Sequence, residues 1–162
     1  MPETAWIDPK CCKHGWLTAE TPAGLFVVLQ GQAPELVWIV DGPEKVAVSV
    51  SEDDERIIVY PLPGQEGTIP GVYVGPVSLF VDPKSIISSG NRYVPGDLVL
   101  QGQKLSLATA PPYPGYPPRL AHLQGASERY YPYVARCTHW ALFFKEAEGE
   151  GRMVFERRPQ SE

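Results

Sequence analysis

The sequence predicts an all-β fold, a single sandwich or barrel built from hairpins, and three observations carry that reading. Apolar segments of about five to eight residues, rich in Val, Ile, Leu, Tyr and Phe, recur along the chain between Gly, Pro or charged turns. The 162 residues include 18 Pro and 15 Gly, roughly a fifth of the chain against about 12% in ordinary proteins, which works against long helices. With 43% hydrophobic and 20% charged residues, the chain can bury one sizeable core, and its length fits one domain with short appendages.

The elements follow in order. Residues 1–23 contain Pro2, Pro9, Gly15 and Pro22, isolated Trp6 and Trp16, and no sustained alternation, so they read as an extended amino-terminal arm. Two indoles are costly to leave in water, and the arm is expected to dock, either on a partner or over the end of its own β domain. That domain spans 24–162. Strands at 25–30 and 36–40 flank a five-residue connection suited to a hairpin. In 45–50, Val46, Val48 and Val50 share one face, while Lys45, Ala47 and Ser49 share the other, the pattern of a half-buried strand. The acidic run Glu52-Asp53-Asp54-Glu55 reads as a solvated hairpin tip before a strand at 56–60.

Residues 71–81 read as a long strand interrupted at Gly75-Pro76, where a bulge or an edge position is required. Pro95-Gly96-Asp97 turns into a strand at 98–101, and Gly102-Gln103 turns again into 104–108. The Pro-rich loop 111–118, Pro-Pro-Tyr-Pro-Gly-Tyr-Pro-Pro, favours an extended polyproline conformation that projects from the surface. Strands are expected at 120–124, 130–136 and 139–145. The last of these forms a terminal hairpin with 152–156, although the absence of Gly and Pro across 133–148 also accommodates one short helix.

Charge and cysteine content bound the function. A net charge of −5 and a pI near 5.2 argue against nucleic acid as a partner. The first residues carry acids and prolines rather than a basic end followed by an apolar run, and no apolar stretch approaches the ~18–20 residues that cross a bilayer, so a soluble protein, intracellular when made, is expected. Three cysteines, two of them adjacent, suggest reduced thiols.

Two constellations could carry chemistry or contact. Cys11 and His14 near one end, with Cys137 and His139 near the other, combine thiolate and imidazole as tetrahedral zinc requires, if the arm lies beside the distal strand. The same residues, with Cys12, could serve a thiol-dependent enzyme. No nucleophile elbow, phosphate-binding glycine loop or zinc-protease helix motif is present. The second constellation is aromatic: Trp6 and Trp16 in the arm, Tyr113 and Tyr116 in the Pro-rich loop, residue types that dominate protein interfaces. Tyr130, Tyr131 and Tyr133 leave open a small-ligand or glycan-binding module.

Two resemblances add to this. The stretch from Gly96 to Leu105 resembles the hairpin of biotinyl and lipoyl carrier domains, which display a modified lysine beside methionine; neither Met1 nor Met153 has a lysine neighbour. The arrangement of Pro95 to Leu105, then 120–124, then 133–136, resembles the head-decoration, or capsid cement, proteins of tailed bacteriophages. That resemblance implies a structural protein and, with no catalytic motif in the sequence, a non-enzymatic role with no cofactor is expected, zinc at the Cys/His set being the alternative. Such a protein would attach to a major capsid protein shell, form homo-oligomers such as trimers, reside in the virion, and hold neighbouring subunits through an amino-terminal arm.

Overall fold

A computed structural model describes residues 13–29, 33–60, 62, 69–88, 93–111, 113–125, 135–145 and 151–159. The strands in chain order are β1 (Lys13–Leu17), β2 (Gly24–Val28), β3 (Glu35–Asp41), β4 (Lys45–Val50), β5 (Val59–Tyr60), β6 (Ile69–Gly75) and β7 (Val77–Val81). They continue with β8 (Ile86–Ser88), β9 (Leu98–Gln101), β10 (Lys104–Thr109), β11 (Arg119–Gln124), β12 (Ala135–Cys137), β13 (Trp140–Phe144) and β14 (Met153–Arg157). Every ladder is antiparallel, and the order is β1-β6-β2-β3-β4-β5 in a six-stranded sheet, β11-β10-β9-β12-β8 in a five-stranded sheet and β14-β13-β7 in a three-stranded sheet. The fold is all-β, as the segment lengths and turn residues predict. The only helical pieces among the described residues are three-residue 3-10 turns at Asp54–Arg56 and Pro83–Ser85, so the helix allowed within 133–148 does not form in its described part, 135–145. No helix among the described residues is long and apolar enough to cross a membrane.

Alternation along β3 and β4 sends side chains into the two larger of three core clusters among the described residues, the third being Val99 and Ala108. Trp38, Val48 and Val50 face a cluster completed by Leu98, Leu107, Leu123, Trp140, Leu142 and Phe155, which draws on all three sheets. Val37, Ile39 and Ala47 face the opposite way, into a cluster with Leu17 and Phe26, packed by Tyr60, Ile69 and Tyr73. Every strand of the six-stranded sheet contributes to this second cluster, so that sheet curls around its own core. The two faces of β4 are those the alternation predicts, but the polar face is not solvated: Ala47 is 1% and Ser49 7% exposed. Ser49 answers its burial by donating from Oγ to the Arg56 carbonyl.

Three further elements differ from the sequence reading. Residues 13–17, expected within the arm, form β1 on the edge of the six-stranded sheet, with Lys13 opposite Tyr73 and Leu17 opposite Ile69. Leu17 is fully buried, and that burial anchors a strand too short and glycine-broken to show a period. Residues 56–60 yield only the two-residue β5, because the chain first makes a 3-10 turn that drops Ile57, fully buried, into the main core. The interruption at Gly75-Pro76 is where the chain leaves one sheet for another: β6 pairs with β1 and β2, β7 with β13. Gly75 has φ +153°, at the limit of what other residues adopt, and Pro76 carries no amide to pair.

Candidate functional site

Side-chain alternation on β1 decides the position of Trp16. Leu17 points into the curled sheet with no exposure, so its neighbour Trp16 points out and is 58% exposed. A turn fixes the strand that carries it: Thr21 donates from Oγ1 to the Trp16 carbonyl at 3.2 Å and accepts from the Thr18 amide at 3.0 Å. Trp6 and Cys11 lie outside the described residues, as do Cys12, Tyr130, Tyr131 and Tyr133, and of His14 only the backbone, opposite Val72, is described.

The Pro-rich loop caps the β10–β11 hairpin, whose last pair is Thr109 with Arg119. It does not run as a simple polyproline helix. Tyr113-Pro114-Gly115-Tyr116 makes a turn closed by the Tyr116 amide on the Tyr113 carbonyl at 3.3 Å, with Gly115 at φ +88°. Proline second and a left-handed glycine third is the pattern of a type II turn. The turn brings the two phenol rings to 6.0 Å between centroids, tilted by 57°, with Tyr113 67% and Tyr116 63% exposed. Two large rings are thus preorganised at one tip.

Of the Cys/His set, Cys137 and His139 are described, and both are engaged. Cys137 is fully buried; its thiol donates to the His139 carbonyl at 3.2 Å and lies 3.1 Å from Ser85 Oγ. Ser85 Oγ in turn donates to the Asp82 carbonyl at 2.8 Å and accepts from the His139 amide at 3.1 Å. The imidazole of His139 lies between two carboxylates, Nδ1 3.2 Å from Asp82 and Nε2 3.0 Å from Glu156. A ring so placed satisfies both partners as the imidazolium, donating from each nitrogen. Glu156 above all, and Asp82 next, raise the pKa of His139 against the opposing effect of burial. Asp82 is held low, first by the Lys84 amide and then by His139, and Glu156 is held low by His139 and then by Arg158. The two carboxylates occupy opposite sides of the ring, and no group of three or more His, Cys, Asp or Glu among the described residues could hold a metal ion. Of the residues in the zinc and thiol readings, the described side chains are those of Cys137 and His139 alone.

The sequence reading missed a buried ionic cluster under the Pro95-Gly96-Asp97 turn. Asp97 is fully buried, accepts from the Val94 amide at 3.0 Å, and lies 3.4 Å from the guanidinium of Arg136. Arg157, 4% exposed, donates to Asp54 at 3.1 Å and to the Thr138 carbonyl. Its Nη1 also lies 3.0 Å from Asp97 Oδ1, an ion pair rather than a formed hydrogen bond. Asp54, expected at a solvated tip, is 7% exposed and belongs to this cluster. Gly96, at φ +95°, leaves room for it, since a Cβ there would stand 2.7 Å from Asp54 Oδ1 and 2.9 Å from Arg157 Nε. Trp140 donates its indole N–H to the Gly96 carbonyl at 2.8 Å. One arginine on β14 therefore joins the turn before β9 to the turn after β4, and so ties the three sheets together.

No protein-family model, no curated protein and no solved structure matches the chain.

Proposed function

We propose that this chain is a non-enzymatic assembly protein that associates with further copies of itself and with neighbouring subunits of a larger particle. The carrying observation is the presentation of Trp16, Tyr113 and Tyr116, each more than half exposed, on backbone fixed by a sheet edge and a closed turn. Exposed single apolar residues are ordinary on protein surfaces, but a tryptophan and a paired set of tyrosines are the side chains that dominate interfaces. Ring pairs on a preformed turn lose little entropy on docking, which favours contact over leaving them hydrated. The bonding of Cys137 and His139 favours the same reading, because both side chains are committed to holding the β7–β8 corner. The biological setting that suits such a protein best is a virus particle, where it would decorate and stabilise the capsid shell.

Sedimentation velocity over a concentration series tests this. The wild-type chain is expected to associate. A Trp16→Ala, Tyr113→Ala, Tyr116→Ala variant should remain monomeric with an unchanged unfolding midpoint, since substitutions at exposed positions shift stability by only about 0.5 kcal/mol each. Equal association of the two proteins would overturn the assignment of these anchors.

A further inference from the structure

Sheet edges expose unpaired backbone groups, and proteins cover long edges or blunt them with charges, prolines or short length. Among the described residues, β7, Val77-Ser78-Leu79-Phe80-Val81, is the one edge strand of five or more residues with no charge, histidine or proline. Beside it lies a groove of about 590 Å³, whose lining includes Trp38, Leu105 and Leu123 of the main core. Val77, Ser78, Leu79 and Val81 line it too. Alternate residues of a strand point to opposite faces, so a lining of both parities means that the edge of β7 borders the groove.

The register of β1 tells which part of the chain joins the fold at this groove. Lys13 stands opposite Tyr73 and Leu17 opposite Ile69, so β1 enters the six-stranded sheet from its Gly75–Pro76 end. That end is the mouth of the groove: Gly24 and Pro76 line it, and Leu25 stands opposite Gly75. From Lys13 to Pro76 is three residues along β6 and one strand spacing across, about 11 Å.

We propose that residues 4–8 of the chain itself lie in this groove, antiparallel to β7, with the Trp6 indole on the apolar lining; the inference goes beyond the assembly reading and stands without it. Trp6 precedes Lys13 by seven residues, a reach of about 23 Å, which covers the path to the mouth and most of the ~13 Å from Val77 to Val81. Thr4-Ala5-Trp6-Ile7 is uncharged and carries β-branched and aromatic side chains suited to pairing with a strand. Charge agrees with this direction. Lys145 lines the groove, donates its amide to the Pro76 carbonyl at 3.0 Å, and has no ion pair among the described residues. Asp8 falls between Ile7 and β1, so its carboxylate meets this ammonium group at the mouth as Trp6 and Ile7 enter. A segment tethered so close has an effective concentration in the millimolar range, which favours it over the same segment of another molecule. Trp6 then closes its own fold, and Trp16, Tyr113 and Tyr116 remain the rings offered to partners.

Isotope-mixed cross-linking of the full chain tests the proposal. Equal amounts of heavy-nitrogen-labelled and unlabelled protein are unfolded in urea, refolded together and treated with a carbodiimide, which couples a carboxylate to an amine in direct contact. The expected product links Asp8 to Lys145 with both peptides of one isotope. Links of mixed isotope as abundant as those of one isotope would put a second copy's segment in the groove and overturn the assignment. Hydrogen exchange supplies the other readout: a Trp6→Ser, Ile7→Ser variant should exchange the amides of 77–81 roughly tenfold faster than the wild type and those of 98–101 at the same rate. Exchange across 77–81 that the variant leaves unchanged, together with no link between Asp8 and Lys145, overturns the assignment as well. Either failure leaves the assembly reading intact, because that reading rests on Trp16, Tyr113 and Tyr116 and is decided by sedimentation.

Discussion

Replacing Arg157 probes the point on which the three sheets converge. Its guanidinium, 3% exposed as a side chain, faces Asp54 at 3.1 Å and Asp97 at 3.0 Å, whose side chains are 10% and 0% exposed. Removing one partner of a buried pair costs about 3–5 kcal/mol, because the charge left behind has neither water nor counter-ion. Arg157→Met would keep most of the apolar stem, so packing loss would be small, but the Thr138 carbonyl would lose its donor. Arg136, 3.4 Å from Asp97, would remain and offset part of the damage, which places the expected cost near the lower value, about 3 kcal/mol. For a chain of this size that lowers the unfolding midpoint by roughly 6–12 °C. Urea titration followed by tryptophan fluorescence would read the change, since Trp140 bonds to the Gly96 carbonyl beside the cluster. Adding Asp54→Asn to Arg157→Met should recover part of the loss, because it removes a buried carboxylate charge that Arg157 offsets, while Asp97 keeps Arg136. A loss below about 1 kcal/mol in the single variant, the value of an exposed pair, would refute the claim that this cluster is buried and coupled.

Three other outcomes are expected. Gly96→Ala should destabilise by about 1–3 kcal/mol in thermal unfolding, because alanine disfavours φ +95° and its Cβ would meet Asp54 and Arg157. Trp140→Phe should cost about 1–3 kcal/mol in urea titration by leaving the Gly96 carbonyl without its donor. Stability against pH should be greatest between the ordinary values of Glu, 4.5, and His, 6.5. The raised pKa of His139 gives stability that is complete below 6.5 and lost as pH rises through the folded value, whereas the lowered pKa values of Glu156 and Asp82 give stability lost as pH falls through theirs. His139→Gln should flatten the alkaline side of that curve, as measured by urea midpoints across pH.

Much of this architecture was legible because strands announce themselves locally. Alternation in 45–50, the paired turns around 98–108 and the break at Gly75-Pro76 each depend on residues close in sequence, and the structure places β4, the β9–β10 hairpin and the sheet change there. What escaped depends on distant partners. The run Glu52-Asp53-Asp54-Glu55 looks like any solvated tip until Arg157, over a hundred residues away, is seen to bury against Asp54. Ser49 looks outward until the six-stranded sheet curls over it. At the site, Trp16 and the tyrosines stood out as rings without a periodic segment to hide them. The carboxylates flanking His139 did not, because Asp82, in the turn after β7, and Glu156, on β14, reach it from elements far apart in sequence. The sole local hint was the Asp82-Pro83 stop, which caps the 3-10 turn through the Lys84 amide.

The claim that fixed, exposed rings serve as docking anchors is tested most directly by oxidative footprinting of Trp16, Tyr113 and Tyr116 across a dilution series. The account predicts that all three rings are modified freely in dilute protein, as their exposures of 58%, 67% and 63% require, and are shielded as the chain associates. Rings that stay equally reactive at every concentration at which association occurs would contradict it.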